Sequence, residues 1–342
     1  MTITYISKEN SLLLKGLALL FMVYYHLPLE GTFSLCSVQG VPLATWLACG
    51  CNPVGIYLFV SGYGLYFMHK KNAPNRPWNR IFKLYKLYWL TLAVFLPIAC
   101  RMSPEVYPGD WLKCLQSITT FRTRWMNEIW FMFPYILLVL TSRRVFALLD
   151  RVGGGKMLVG AYGLYIISAF LISRYYGAFF ADHYTIYHVA LYFSCLFPFV
   201  TGAVFCKYAD RECPQWLARL MPKSQPAWVL LFVLVFLFGC LTHWAPLSPF
   251  CQFAMIVCFV RIRWFEGIKK VLRLFGRYST VVWFIHTWFC YYLFKEYIYG
   301  LHYPLLMLVA TMAVSIAVGY FILKVDKWTT RLLGLDARKY HK

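Results

Sequence analysis

Ten stretches of mainly apolar sequence recur along the 342-residue chain, most of them near the length that crosses a bilayer. They fall near 12–29, 46–68, 84–100, 128–148, 157–173, 187–206, 227–245, 249–260, 279–296 and 304–323. A helix needs about 20 such residues to traverse the hydrocarbon core. With 61% apolar and only 14% charged residues, the chain is too poor in charge for a soluble domain. A disordered chain and a small disulfide scaffold are excluded on the same ground. The expectation is an all-α polytopic integral membrane protein of about ten transmembrane helices, forming a single membrane domain over 1–342. The shortest stretch, 249–260, spans only if Trp244 and Pro246 to Pro249 make a tight turn between two helices. The first stretch does not read as a cleaved signal, because Leu27, Pro28, Leu29 and Glu30 carry no small-x-small cleavage pattern.

The net charge of +21 invites a nucleic-acid partner, but the placement of the charges removes it. With a cytoplasmic N-terminus, 28 of the Lys and Arg residues fall on the inner side and 6 on the outer. That is the positive-inside bias of a membrane protein. N-in and C-in is therefore the expected topology. The charge is spread loop by loop, with no groove-sized patch for a nucleic acid.

Most of the 12 cysteines lie in or at the ends of apolar stretches, where they pack as small hydrophobes. Cys49 and Cys51 form C-x-C with no second pair at zinc spacing, so no metal site is expected. Cys36, Cys114 and Cys251 are placed to face an oxidising side. Gly153-Gly154-Gly155 has neither the Lys-Ser/Thr of a phosphate loop nor a preceding strand, and reads as a flexible cytoplasmic loop. Pro97, Pro134 and Pro198 fall inside apolar stretches, where kinks are tolerated if neighbours satisfy the freed carbonyls.

An ionisable side chain inside a span marks a functional hypothesis, because placing it there is costly. Lys15 and His26 lie in the first stretch, eleven residues apart. Eleven steps make three helical turns plus about 20°, so both share one face, roughly 16 Å apart along the axis. Arg80 and Lys83, at i and i+3, share a face where the third stretch begins. Two cations so placed can grip phosphates, although a positive-inside anchor has the same look. Glu128 and Trp130 sit at the mouth of the fourth stretch, and His286 lies about seven residues into the ninth. Ser61, Gly62 and Gly64 end the second stretch as small residues that admit a neighbouring helix. Asp182, His183 and His188 are assigned to the outer loop before the sixth, and His243 sits near the outer end of the seventh.

In this order the motifs resemble the membrane-bound acyltransferase family 3, bacterial O-acyltransferases of surface glycans. The resemblance is carried by Lys15-x10-His26, Phe59-x-Ser61-Gly62, Arg80-x-x-Lys83, Trp130-Phe131 and Ser279-x3-Trp283-x2-His286-Thr287, and covers almost the whole chain. It implies ten spans in a bacterial inner membrane and transfer of an acyl group, usually acetyl from cytoplasmic acetyl-CoA, to a carbohydrate hydroxyl. The acceptor is then a polysaccharide, a lipid-linked sugar or another glycan. His26 takes the place of the family's catalytic histidine, with Lys15 on its face. Arg80 and Lys83 take the place of the pair associated with the donor's phosphates. Glu128, Trp130 and His286 are candidates for the substrate cavity wall. The chain departs from the family pattern in having Lys at 15 and 83 where Arg is common, and Glu128 before rather than after the Trp. The competing reading is a glycan or lipid exporter or flippase. Such a transporter is expected to carry paired broken spans in two halves, and the three Pro-bearing stretches do not pair in that way.

Overall fold

A computed structural model describes residues 6–74, 76–209, 219, 221–242 and 246–332. In chain order the elements are α1 (Lys8–Tyr25), the short strands β1 (Ser37–Val38) and β2 (Val41–Pro42), α2 (Leu43–Cys49), α3 (Pro53–Lys70), α4 (Pro77–Met102) and α5 (Trp111–Ile118). A 3-10 turn (Asn127–Phe131) leads into α6 (Met132–Val152), followed by α7 (Gly154–Tyr175), a π-type turn (Tyr176–Phe180) and α8 (Tyr184–Tyr208). Then come α9 (Gln225–Leu241), α10 (Ser248–Arg261), α11 (Glu266–Thr287), a second π-type turn (Trp288–Tyr292), α12 (Lys295–Tyr299) and α13 (Pro304–Leu332). Among the described residues the one sheet is the β1–β2 hairpin, antiparallel with Ser37 opposite Pro42.

Helix boundaries follow the local chemistry. Pro53, Pro77 and Pro304 each open a helix, where a missing N–H costs nothing. Pro134 sits in the first turn of α6, whereas Pro97 and Pro198 lie inside α4 and α8. The expected three-glycine loop contracts to one residue. Gly153, at φ +85°, breaks the chain between α6 and α7, and Gly154 and Gly155 already belong to α7.

Among the described residues, six segments are long and apolar enough to cross a membrane: Leu43–Lys70, Pro77–Met102, Asn127–Val152, Gly154–Phe180, Tyr184–Tyr208 and Pro304–Leu332. The chain is thus a multi-pass membrane protein. The other four expected stretches are helical too, but shorter or more charged. α9 has 17 residues and α10 has 14. α1 carries Lys8, Glu9 and Lys15 within its 18 residues, and α11 opens with Glu266, Lys269, Lys270, Arg273 and Arg277. His243 and Trp244 lie outside the described residues.

The chain divides into two compact units, one of Met1–Tyr25, Leu35–Asn75 and Trp130–Arg277, the other of His26–Ser34, Arg76–Ile129 and Tyr278–Lys342. The first is built on close backbone approach. A Cβ at Gly62 of α3 would stand 1.9 Å from the Phe199 carbonyl oxygen of α8, and one at Gly202 of α8 would stand 2.0 Å from that of Phe59. The small end of the second stretch thus admits a helix as its composition suggested. α1 and the first half of α11 repeat the device, Gly16 against Leu272 and Gly276 against Leu12, each at 2.1 Å from the facing carbonyl oxygen. α7 lies at the edge and presents Val159, Ile167 and Phe170 outward, side chains suited to lipid. Near the ends of α3, α6 and α8, Asp150 accepts from Tyr66 (2.6 Å) and lies 3.1 Å from His69 Nε2 and 2.8 Å from Lys207 Nζ.

The second unit packs through rings. Tyr88 of α4 meets Phe284 of α11 at 5.4 Å, and Phe95 stacks on Trp288 at 5.5 Å with 5° between planes. Gly319 brings α13 onto Val281 and Ile285. The orphan carbonyls at the end of α5 accept from side chains of α4: Tyr88 donates to Ser117, Trp89 to Ile118 and Tyr85 to Thr119. At the other end of α5, Asp110 caps the helix by accepting from the Lys113 N–H. Buried Lys86 forms an ion pair with Asp326 at 2.8 Å, and donates to the Asp326 carbonyl and to Thr329 and Thr330. That tie joins α4 to α13.

Candidate functional site

His26 is the first residue past the end of α1 and is half-buried. Its Nδ1 lies 3.0 Å from Nε2 of His286, with the two rings 5.1 Å apart and tilted by 42°. The Cys290 thiol donates to the His26 carbonyl at 3.3 Å. The ring of Tyr291 stands edge-on at 6.2 Å. His26 is therefore held by its ring and by its main chain, both from residues 286–291.

The sequence accounts for this grip. His286 and Cys290 are four residues apart, a spacing that puts side chains on neighbouring turns of one face. The helix widens into the π-type turn at Trp288, a local departure found often at functional sites. His286 is fully buried, and its Nδ1 lies 2.9 Å and 3.0 Å from the carbonyl oxygens of Val282 and Trp283.

The same segment moors Glu128. Tyr292 donates to both carboxylate oxygens, at 2.9 Å and 3.2 Å, and its oxygen accepts from the Asn127 N–H at 3.0 Å. The indole of Trp283 donates to the Glu128 carbonyl at 3.2 Å. Residues 283, 286, 290 and 292 thus hold two chain segments, one bearing His26 and one bearing Glu128. Tyr107, in the loop between α4 and α5, donates to the Trp125 carbonyl. Burial, assisted by the negative charge of Glu128, pushes its phenol up to about 12. It stays protonated and keeps that bond throughout the physiological range.

The remaining sequence candidates divide. Arg80 and Lys83 are exposed near the start of α4, and no ion pair among the described residues engages them. Lys86, from the same basic run, is buried against Asp326, so one cation serves packing while two face outward. Lys15 lies within α1 in the first unit, half-buried, with its carbonyl accepting from Tyr57 at 3.5 Å. Trp130 also belongs to the first unit, its ring edge-on to Phe131 at 5.9 Å. His183 stacks on Phe179, and His188 is buried against Phe133. The eleven cysteines among the described residues, Cys36, Cys114 and Cys251 among them, form no disulfide with one another. Among those residues no group of three or more His, Cys, Asp or Glu is arranged to hold a metal.

Sequence reasoning missed Tyr292, Tyr291 and Cys290 as parts of the site. Cys290 carried a signal in its four-residue spacing from His286. Tyr291 and Tyr292 carried none, because tyrosines near a membrane interface are common.

Chemically, the pair offers an imidazole backed by a second imidazole, in a segment that also fixes a carboxylate. Such an arrangement can move a proton to and from a hydroxyl. A family model described as an acyltransferase domain matches residues 12–324, so the match spans both units. Comparison with curated proteins and with solved structures gives no match.

Proposed function

The chain belongs to acyltransferase family 3, and on that premise we propose that it carries an acyl group, acetyl in the first instance, from cytoplasmic acyl-CoA to a glycan hydroxyl at the bacterial inner membrane. Acyl transfer at a membrane is the part that family membership and the six membrane-length helices support directly. Donor, acceptor and base are the further reading, as are the N-in and C-in topology and a single catalytic domain over 1–342.

The observation that carries the reading is the grip on His26. A histidine held at ring and carbonyl by one helical segment is suited to act as a base at a fixed point. In this reading His26 accepts the proton of the acceptor hydroxyl as that oxygen attacks the thioester carbonyl carbon. The C–S bond then breaks, and the proton passes from His26 to the departing CoA sulfur. The products are the ester and free CoA. Neither a serine nucleophile nor a covalent acyl-enzyme enters the scheme.

The position of Arg80 and Lys83 supports the donor assignment. Tyr88 packs on Phe284 and Phe95 on Trp288, so the level of His286 falls midway between them along α4. Counted back at about 1.5 Å per residue, Lys83 and Arg80 lie about 13 Å and about 17 Å from that level along the helix axis. An extended pantetheine arm suits such a separation between phosphates and thioester. Lys15, Glu128 and Trp130 are assigned to positioning and to the substrate wall.

The test is to supply labelled acetyl-CoA to inner-membrane vesicles with and without the protein. The expected result is protein-dependent label in the glycan or glycolipid fraction, released by mild base as an O-ester. No CoA-dependent label in any such fraction would overturn the proposal and return the exporter reading.

A further inference from the structure

We propose that His286 is a positioning residue that sets the proton on His26, and so decides which of its ring nitrogens acts as base. This rests on the reading of His26 as base and extends it. The far side of His286 fixes its tautomer. Its Nδ1 faces the carbonyl oxygens of Val282 and Trp283 at 2.9 Å and 3.0 Å. A carbonyl oxygen only accepts, so Nδ1 carries the hydrogen. Complete burial of His286 favours its neutral ring, and a neutral imidazole has one N–H only. Its Nε2 therefore presents a lone pair.

That lone pair lies 3.0 Å from Nδ1 of His26. Two acceptors do not face each other at this distance, so Nδ1 of His26 carries a hydrogen and donates it. The neutral form of His26 is then the Nδ1–H tautomer, with the basic lone pair on Nε2. The Cys290 thiol on the His26 carbonyl and the edge of Tyr291 hold the ring in that orientation.

The same contact acts during transfer. Nε2 of His26 takes the proton of the acceptor hydroxyl while the oxygen bonds to the acyl carbon, and the ring becomes an imidazolium with two N–H groups. The Nδ1–H to His286 bond is then charge-assisted and stronger. When the C–S bond breaks, Nε2 returns the proton to sulfur and the tautomer is restored. His286 touches no reacting atom. It occupies the place relative to the base that an aspartate holds in a Ser-His-Asp triad, where loss of the correct tautomer lowers turnover strongly.

The test compares three full-length variants in membranes, with labelled acetyl-CoA as donor and the membrane glycolipid fraction as acceptor. His286→Leu removes the acceptor atom and is expected to lower kcat about a hundredfold or more, with KM for acetyl-CoA within about twofold of wild type. His286→Gln places an amide oxygen near the former Nε2 and is expected to retain kcat within about tenfold of wild type. If the Leu variant does not accumulate as folded protein, His286→Met, a much weaker acceptor, takes its place with the same expected loss. Equal impairment of the Gln and apolar variants at unchanged unfolding temperature would overturn the proposal. So would an apolar variant within threefold of wild type. His26→Ala separates the two levels: if it retains transfer, the base reading itself falls. If it abolishes transfer while the apolar His286 variant does not, only the positioning role falls.

Discussion

The α3–α8 crossing and the α4–α11 contact are both tight, but they are tight for different reasons. At the first, Gly62 and Gly202 bring backbones together until no Cβ fits. At the second, one tilted and one stacked ring pair join α4 to α11 and the turn that follows it, and the same segment presents a buried polar group, His286, and beside it the partners of Glu128. Glycine crossings bury only backbone and apolar surface, and they leave nothing for chemistry. Polar groups in an apolar surround are costly unless satisfied. The α4–α11 region carries that cost in a linked set of residues, and the proposed reading places the chemistry there.

This contrast predicts that substitutions in the first region destroy the fold, whereas those in the second separate stability from turnover. The largest effect is expected at Gly62→Leu. A side chain there meets the Phe199 carbonyl, a clash worth about 3 kcal/mol or more, and the monodisperse peak after detergent extraction should disappear. A normal peak would show that α3 and α8 can part. Next is Asp326→Asn, which leaves buried Lys86 without its counter-charge. Breaking such a pair costs about 3 kcal/mol, read as a lower unfolding temperature, and the double variant Lys86→Met with Asp326→Leu should recover much of the loss. Neutralising Arg80 and Lys83 together should leave unfolding unchanged and raise KM for acetyl-CoA about tenfold at unaltered kcat, near 1.4 kcal/mol of binding. Stabilisation of the protein by added CoA should shrink with it. The smallest effect is expected at Asp150→Asn. Its contacts to Tyr66, His69 and Lys207 sit at a carboxylate that is 42% exposed, and exposed pairs contribute about 1 kcal/mol or less.

What was legible in the sequence follows from what is local. Long apolar stretches located the helices, because bilayer thickness sets a length scale that hydropathy can read. Each of the ten stretches contains a helix, although among the described residues only six segments combine the length and low charge of a clear span. Gly62 was legible as a packing residue, since a run of small side chains within an apolar stretch lets another helix approach closely. Arg80, Lys83 and Lys86 read as one basic run, and nothing local shows that Lys86 is withdrawn into the protein by Asp326. The partner stands 240 positions away. His26 and His286 were each singled out for being polar in apolar sequence, but they are 260 positions apart, and periodicity carries no information about which helix faces which. Their pairing, and the tautomer it dictates, required the tertiary structure.

The most direct measurement of the central claim is the turnover of His26→Ala with labelled acetyl-CoA in membranes, beside wild type at matched amounts of folded protein. The account predicts a loss of about a hundredfold or more in kcat, as expected for removal of a general base, with the unfolding temperature little changed and stabilisation by CoA retained. Wild-type turnover in that variant would contradict it and take His26 out of the reaction.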